Sequence, residues 1–569
     1  MTEPVEDDAL VANPMTRPRP NLHALPGEPQ RRFTDGPASR PSTTPVAVPD
    51  SPPTTMRQLA EEAASRRRFA ESDVDPRADQ RHRHRGKRSA RERIERLVDP
   101  GTFVELRLFA RHVATGFGME ERRPYGDGVV TGWGLVDGRK VFVFAHDARV
   151  FGGALGATFA RKVCALMDLA ESTGFPIIGL NDGGGARIQE GIGALEGFGE
   201  IFSRNVRLSG VVPQISVVLG ACAGGAAYSP ALTDFVFMLS DAASMYITGP
   251  DVVRAVTGEH VTHQELGGSR VHSERSGVAM FQAPDEDSLL DDVRSLLSFL
   301  PASNQELPPE FRPDDRPDRS CDELVDQVPA ADQTPYDMYA VLESIADHGD
   351  FLEVHASWAP NVICAFARLD GKVVGVVANQ PLELAGVLDI DASEKAARFV
   401  RTCDAFNIPL LTLVDVPGFL PGTSQEHSGI IRSGAKLLYA YCEATVPRIQ
   451  LILRKAYGGA YIVMDSKSIG TDLSFAWPGN QVAVMGAAAA ANVIFRREIA
   501  AATDPARRRL ELVEEYADTV LHPYAAAERG LVDDIIQPAD TRSVLIRAFA
   551  MLHTKRDRRP ARKHGNIPL

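Results

Sequence analysis

The chain has 569 residues, 44% of them hydrophobic, which is more than one core normally holds, so two packed domains with extensions are expected. A net charge of −13 excludes a general nucleic-acid binder. No apolar run reaches the roughly 18 residues of a membrane span, the acidic start MTEPVEDDAL is not a secretory signal, and the six scattered cysteines form no CxxC pair, which excludes a zinc ribbon and fits a reducing, cytoplasmic setting.

Residues 1–55 carry 12 of the 39 prolines and few aromatics, so they read as a disordered Pro-rich tail. MRQLAEEAASRRRFAE, from Met56, has helical spacing. The basic run RHRHRGKRSARERIERL follows. It either faces the phosphates of a ligand or forms a solvated helix face.

An internal repeat dominates the rest. DGRKVFVFAHD at Asp137 recurs as DGKVVGVVANQ at Asp370, an offset of 233. The same offset carries Gly153 to Gly386, Leu155 to Leu388, Lys162 to Lys395, Pro176 to Pro409 and Asp182 to Asp415. After one inserted residue, Gly224–Gly225 map to Gly458–Gly459. Each copy runs strand, Gly-rich loop, helix, strand, Gly-rich turn, helix, so the fold class is α/β and duplicated. Residues 56–312 are expected to form one domain and 316–569 the other, joined by the Pro- and Asp-rich NQELPPEFRPDDRPDRSCDEL.

Four glycine turns follow apolar strands: NDGGGARIQEG with Gly183, Gly184 and Gly185, GACAGGAAYSP with Gly224 and Gly225, VDVPGFLPG with Gly418, and KAYGGAYIVM with Gly458 and Gly459. The GG pairs read as helix openings. A helix start leaves N–H groups without partners and carries partial positive charge. Glycine lets a substrate atom approach that backbone, and two N–H groups aimed at one oxygen form an oxyanion hole. The alternative is that these glycines only make tight turns. Neither a GxGxxG nor a GxxxxGK[ST] fingerprint is present. Ser229 is not in a GxSxG elbow, His427 lies on a polar loop, and Asp182 and Asp415 read as turn or cap residues at matching strand ends.

On NDGGGARIQEG, CAGGAAYSPALTDF, YITGPDVV, LDIDASEKAARFVRTCDAFNIPLLTLVDVPGFLPG, QEHSGIIRSGAKLLYAYCEATVP, KAYGGAYIVM and the ending KHGNIPL, the chain from about residue 56 onward resembles the carboxyltransferase β subunit of biotin-dependent acyl-CoA carboxylases, most of all the propionyl-CoA carboxylase type. The resemblance implies two crotonase-like (spiral ββα) domains, a homo-hexameric core and a site formed between subunits. It places Gly184 and Gly185 at the acyl thioester carbonyl and Gly459 and Ala460 at the biotin ureido carbonyl. Gly224, Gly225, Gly418, Phe419 and Asp389 then surround the substrate. The implied reaction moves a carboxyl group from carboxybiotin to the carbon beside the thioester, with the ureido nitrogen taking the α-proton and no side-chain base or metal needed. No AMKM-type biotinylation motif and no ATP-grasp signature is found, so biotin, ATP and bicarbonate belong to a partner α subunit. The alternatives are a decarboxylase or transcarboxylase subunit and a non-catalytic assembly paralogue.

This chain departs from the usual family pattern at Gly183, where Ser is common, at 146–149, where FAHDARVFGG replaces FAQDFTVFGG, and at Asp465, where Gly is common. Asp389 either caps the helix that follows it or shapes the floor of the acyl pocket and favours a short acyl group.

Overall fold

The computed structural model describes residues 55–557 and 559–568. The expected tail lies, apart from Thr55, outside the described residues. The first helix, Met56–Glu71, is closed by a capping box in which Thr55 and Gln58 satisfy each other's backbone N–H groups.

Sixteen strands follow: β1 (Val104–Leu106), β2 (Val129–Val136), β3 (Arg139–His146), β4 (Ile177–Gly183), β5 (Gln214–Ala223), β6 (Phe235–Leu239), β7 (Ser244–Tyr246), β8 (Phe281–Ala283), β9 (Phe351–Glu353), β10 (Val362–Leu369), β11 (Lys372–Asn379), β12 (Leu410–Val416), β13 (Arg448–Tyr457), β14 (Leu473–Ala476), β15 (Gln481–Ala483) and β16 (Asp534–Ile535). They form two eight-stranded sheets with the same plan. One is ordered β1-β2-β3-β4-β5-β6-β8 with β7 beside β5, and the other β9-β10-β11-β12-β13-β14-β16 with β15 beside β13.

The repeat read from the sequence is therefore a repeat of structure. Each half opens with an antiparallel hairpin, β2–β3 or β10–β11, turning at Asp137–Gly138 or Asp370–Gly371. All four turn residues have positive φ, which is why a DG pair recurs here. A carboxylate from elsewhere grips each turn: Asp99 accepts from the N–H groups of residues 137 and 138, and Asp347 from those of 370 and 371.

The later strands are parallel and deeply buried, which explains their continuous apolar runs; all ten residues of β13 are inside. β5 and β13 each serve two successive partners along one edge. Ile215–Val218 pair with β6 and Ala221–Ala223 with β7, while Ile449–Ile452 pair with β14 and Lys455–Tyr457 with β15. This split forks each sheet at the end where the glycine turns lie.

The halves share one interior. Phe366 of β10 packs against Phe235 and Phe299 of the first half, with ring centroids 6.1 and 6.0 Å apart, and against Phe399 of its own half at 5.0 Å. A second apolar cluster belongs to the C-terminal half alone and includes Met338, Ile363, Leu451 and Leu545. Among the described residues no helix is long and apolar enough to cross a membrane.

Candidate active site

β4 and β5 lie side by side and parallel, as do β12 and β13, so the four glycine turns leave their sheets at the carboxyl ends of neighbouring strands. That edge is where open parallel sheets hold ligands. The two GG turns open helices. Gly224, at φ +61°, is the N-cap of Gly225–Leu232, and Gly458, at φ +60°, begins Gly458–Val463 directly from β13. The other two turns are extended rungs. Ala186 bridges Leu155, and Phe419 bridges Leu388 at the corresponding place.

The glycines sort by what a side chain would meet. A Cβ at Gly184, Gly418 or Gly459 would touch nothing within 4 Å, so these three expose bare backbone. A Cβ at Gly185 would lie 2.8 Å from the Ala223 carbonyl oxygen, one at Gly225 would lie 3.0 Å from the Phe198 ring, and one at Gly458 would lie 3.1 Å from the Val484 carbonyl oxygen. Those three serve close packing. The donors differ as well. Gly184 N–H reaches the Gly152 carbonyl oxygen at 3.2 Å, the long end of the N–H···O range. Gly185 N–H meets no acceptor among the described residues. Gly459 and Ala460, in the first helical turn, lie outside the i→i−4 ladder of their helix. Phe419 is partly buried and lies over Gly434, whose Cβ would come within 3.1 Å of its ring.

Asp389 is the N-cap of Ile390–Ala405. It accepts from Ala392 N–H at 2.9 Å and from Asn361 Nδ2 at 3.3 Å. Ser229 Oγ donates to Asn205 Oδ1, and His427 is exposed on the short helix Thr423–Ser428. No group of three or more His, Cys, Asp or Glu side chains among the described residues could hold a metal ion.

Two expectations need correction. Asp182 and Asp415 are not turn or cap residues; both are buried charge anchors. Asp182 binds Lys87 Nζ at 2.8 Å and Arg93 Nη1 at 3.0 Å. Asp415 accepts from Arg454 Nε at 2.9 Å and from Lys455 N–H at 3.1 Å. A carboxylate at the end of a buried strand has no water to face, so it takes a cation instead. The basic run divides: Arg81, His84 and Arg85 are exposed, as a solvated face would be, while its second part from Arg88 is taken up by ion pairs. Arg88 pairs with Asp287, Arg91 with Glu105, Arg93 with Asp182 and Glu286, and Arg96 with Asp287 and Asp291.

The departures also acquire structure. Asp465 has φ +58°, a region open to glycine and tolerated by aspartate, and its buried carboxylate meets Arg448 Nη1 at 2.6 Å. Burial raises its pKa to about 7, against the pull of Arg448. Arg149 forms a double contact with Asp147 and a third with Asp79. His146 and Gly183, 37 positions apart, are neighbours: a Cβ at Gly183 would lie 2.8 Å from His146 Nδ1 and 2.3 Å from the Gly153 carbonyl oxygen. His146 Nδ1 is buried with no hydrogen-bond partner among the described residues. Burial holds the imidazole down at a pKa of about 4, so it is neutral near pH 7.

Residues 81–567 match the family of the carboxyl transferase domain. The chain belongs to the carboxyl transferase family. This carboxyltransferase is 58% identical over 485 residues to the propionyl-CoA carboxylase carboxyltransferase subunit of Haloferax mediterranei, covering 85% of this chain and 94% of that one. It is 54% identical over 484 residues to the methylmalonyl-CoA decarboxylase subunit alpha of Propionigenium modestum, again covering 85% and 94%. Among solved structures it superposes on transcarboxylase 12S, a hexameric multienzyme core crystallised with methylmalonyl-coenzyme A and methylmalonic acid, with a TM-score of 0.88 and 50% identity over 91% of this chain and 99% of that one. The carboxyltransferase fold is thus the duplicated crotonase-like one expected from the sequence.

Proposed function

We propose that this chain is the carboxyltransferase (β) component of a biotin-dependent acyl-CoA carboxylase, moving a carboxyl group to the α-carbon of a short acyl-CoA, with propionyl-CoA giving methylmalonyl-CoA. The observation that carries the reading is the bare backbone at Gly184, with the N–H of Gly185 beside it, in one half, and the bare backbone at Gly459, with Ala460 next to it in the first helical turn, in the other.

Gly184–Gly185 bind the thioester carbonyl and stabilise negative charge developing on its oxygen; one such donor is worth roughly 10²–10³ in kcat. Gly459–Ala460 fit a second carbonyl, that of the biotin ureido ring, because no atom lies within 4 Å of a Cβ at Gly459 and the helix start adds partial positive charge. Carboxybiotin, carried on a partner biotin carboxylase/carrier subunit that uses ATP and bicarbonate, supplies the carboxyl group. Gly224, Gly225, Gly418, Phe419 and Asp389 form the surround, with Asp389 acting through the helix start it caps. The likeness to transcarboxylase 12S supports a homo-hexameric core, and we place that core in the cytoplasm.

The purified chain alone should not carboxylate propionyl-CoA from ATP and bicarbonate, and adding its biotinylated partner should start turnover. Turnover without a partner would sink the reading. The similarity to the decarboxylase subunit favours one rival: if the partnered chain decarboxylates methylmalonyl-CoA but fixes no bicarbonate, it works in that direction instead.

A further inference from the structure

The backbone at Gly459–Ala460 sits on a helix of only six residues, Gly458–Val463, too short to hold its own place. Where its start points depends on how its end is held. Met464 N–H donates to the Ala460 carbonyl oxygen at 2.9 Å, and Ser466 N–H to that of Ile462 at 3.3 Å. The segment 464–466 is therefore bonded directly to the first turn of the helix.

Two buried side chains of β13 fasten that segment. Gln450 Nε2 donates to the Met464 carbonyl oxygen at 2.8 Å, and Arg448 Nη1 donates to Asp465 Oδ1 at 2.6 Å. Asp465 Oδ2 also accepts from Thr471 Oγ1 at 3.2 Å, and Arg448 Nη2 donates to the Ile469 carbonyl oxygen at 3.3 Å. Aspartate is a costly choice at 465. Its carboxylate is wholly buried, it follows the negative end of a helix, and its φ is +58°. The Arg448 guanidinium offsets the first two.

The first half has a corresponding link in neutral form. With the inserted residue counted, Arg448 matches Gln214, the first residue of β5. Gln214 Nε2 donates to the Asn205 carbonyl oxygen at 2.9 Å, and its Oε1 accepts from Asn205 Nδ2 at 2.9 Å. Asn205 Oδ1 in turn accepts from Ser229 Oγ at 3.0 Å, on the helix that Gly224 caps. In both halves, then, the first side chain of the long central strand is linked to the helix opened by the GG turn. The second half makes that link with an ion pair.

We infer that Arg448 and Asp465, with Gln450, are positioning residues for the turn at Gly459–Ala460: they fix the end of its short helix and so the direction of its first N–H groups. Their role in transfer rests on the reading that this turn holds the ureido carbonyl of biotin. The coupling between helix end and helix start does not.

The test uses the full-length chain with free biotin as acceptor. In this direction the carboxyl group leaves the α-carbon of methylmalonyl-CoA for a ureido nitrogen, and the proton of that nitrogen takes its place. Arg448→Leu combined with Asp465→Gly removes both charges, leaves neither partner buried alone, and puts glycine where φ is positive. It should raise KM for biotin about 10-fold, the weight of one hydrogen bond to a charged group, while KM for methylmalonyl-CoA stays within about 2-fold. Amide exchange at Met464 and Ser466 should quicken by a similar factor. Gln450→Met cuts the other tie and should move the same readouts the same way, which keeps the proposal open to refutation if the double variant fails to fold. Either variant folding with KM for biotin within about 2-fold of the unmodified chain overturns the proposal. A fall in kcat with both KM values unchanged makes these residues merely structural and also overturns it. If the unmodified chain transfers nothing to biotin, the functional reading fails, and amide exchange at 464 and 466 still decides whether these side chains govern the turn.

Discussion

The two halves of the molecule reach the same backbone by different side chains. At the start of the long helix after each hairpin, the C-terminal half uses Asp389, which caps Ile390–Ala405 from inside its own turn. The N-terminal half has Gly156 at that position and takes its cap from afar: Glu190 accepts from Ala157 N–H at 2.9 Å and also pairs with Arg187 at 2.8 Å. The second half adds Asn379 at its strand end, while the first has a ring with an unpartnered Nδ1 there and relies on backbone bonds between 152–155 and 184–187. The lesson is that one plan is met with different ties: the long helix is capped three residues away by Asp389 in the C-terminal half, and by Glu190, 33 positions on, in the N-terminal half, on the side assigned to the acyl group.

The largest test of this contrast concerns the open glycines. Gly459→Val and Gly184→Val should both fold, since neither side chain has a neighbour to displace. Each should cut the partnered rate by about 10²-fold or more, the weight of one donor. Gly184→Val should act on the acyl-CoA kinetics and Gly459→Val on the biotin side. If either variant folds and keeps most of its activity, that glycine is only a turn residue.

Next come the charge anchors. Removing one partner of a buried ion pair costs about 3–5 kcal/mol, and Asp415→Ala should approach that, because Arg454 is almost wholly buried. Asp182→Ala should cost less. Lys87 is partly exposed and can turn to water, and Arg93 keeps Glu286. Equal losses in urea unfolding would contradict the contrast.

The smallest effects belong to the caps. Asp389→Ala should lose about 1 kcal/mol, as N-caps do, while Asp389→Asn should lose almost none. Glu190→Ala should cost more than Asp389→Ala, because it frees Arg187 as well. If the ratio of kcat/KM values for acetyl-, propionyl- and butyryl-CoA shifts about 10-fold in Asp389→Asn, the carboxylate touches the acyl chain in addition to capping.

Much of this architecture could be read from the sequence because its signals are local. The DG hairpins, the apolar strands and the GG pairs before a helix each occupy a few adjacent residues, and the constant offset shows that they recur. What stayed hidden depends on distance along the chain. Asp182 resembles a strand-end cap until Lys87 and Arg93 come across from the basic run. His146 and Gly183 look like two unrelated departures until the fold sets them side by side. The forked edge, where β5 and β13 each change partner midway, depends on pairings that no short window contains.

The shared aromatic cluster has a consequence for synthesis on the ribosome. Phe235 and Phe299 belong to the half translated first, and Phe366, which covers both, belongs to the half translated second. Arg368, two residues later, lies over the Phe299 ring at 4.0 Å and donates to the Ser298 carbonyl oxygen. At roughly 5–20 residues per second, the nascent first half waits several seconds with that patch uncovered. The duplicated halves are therefore not two independent folding events in series: the first is completed by a strand of the second.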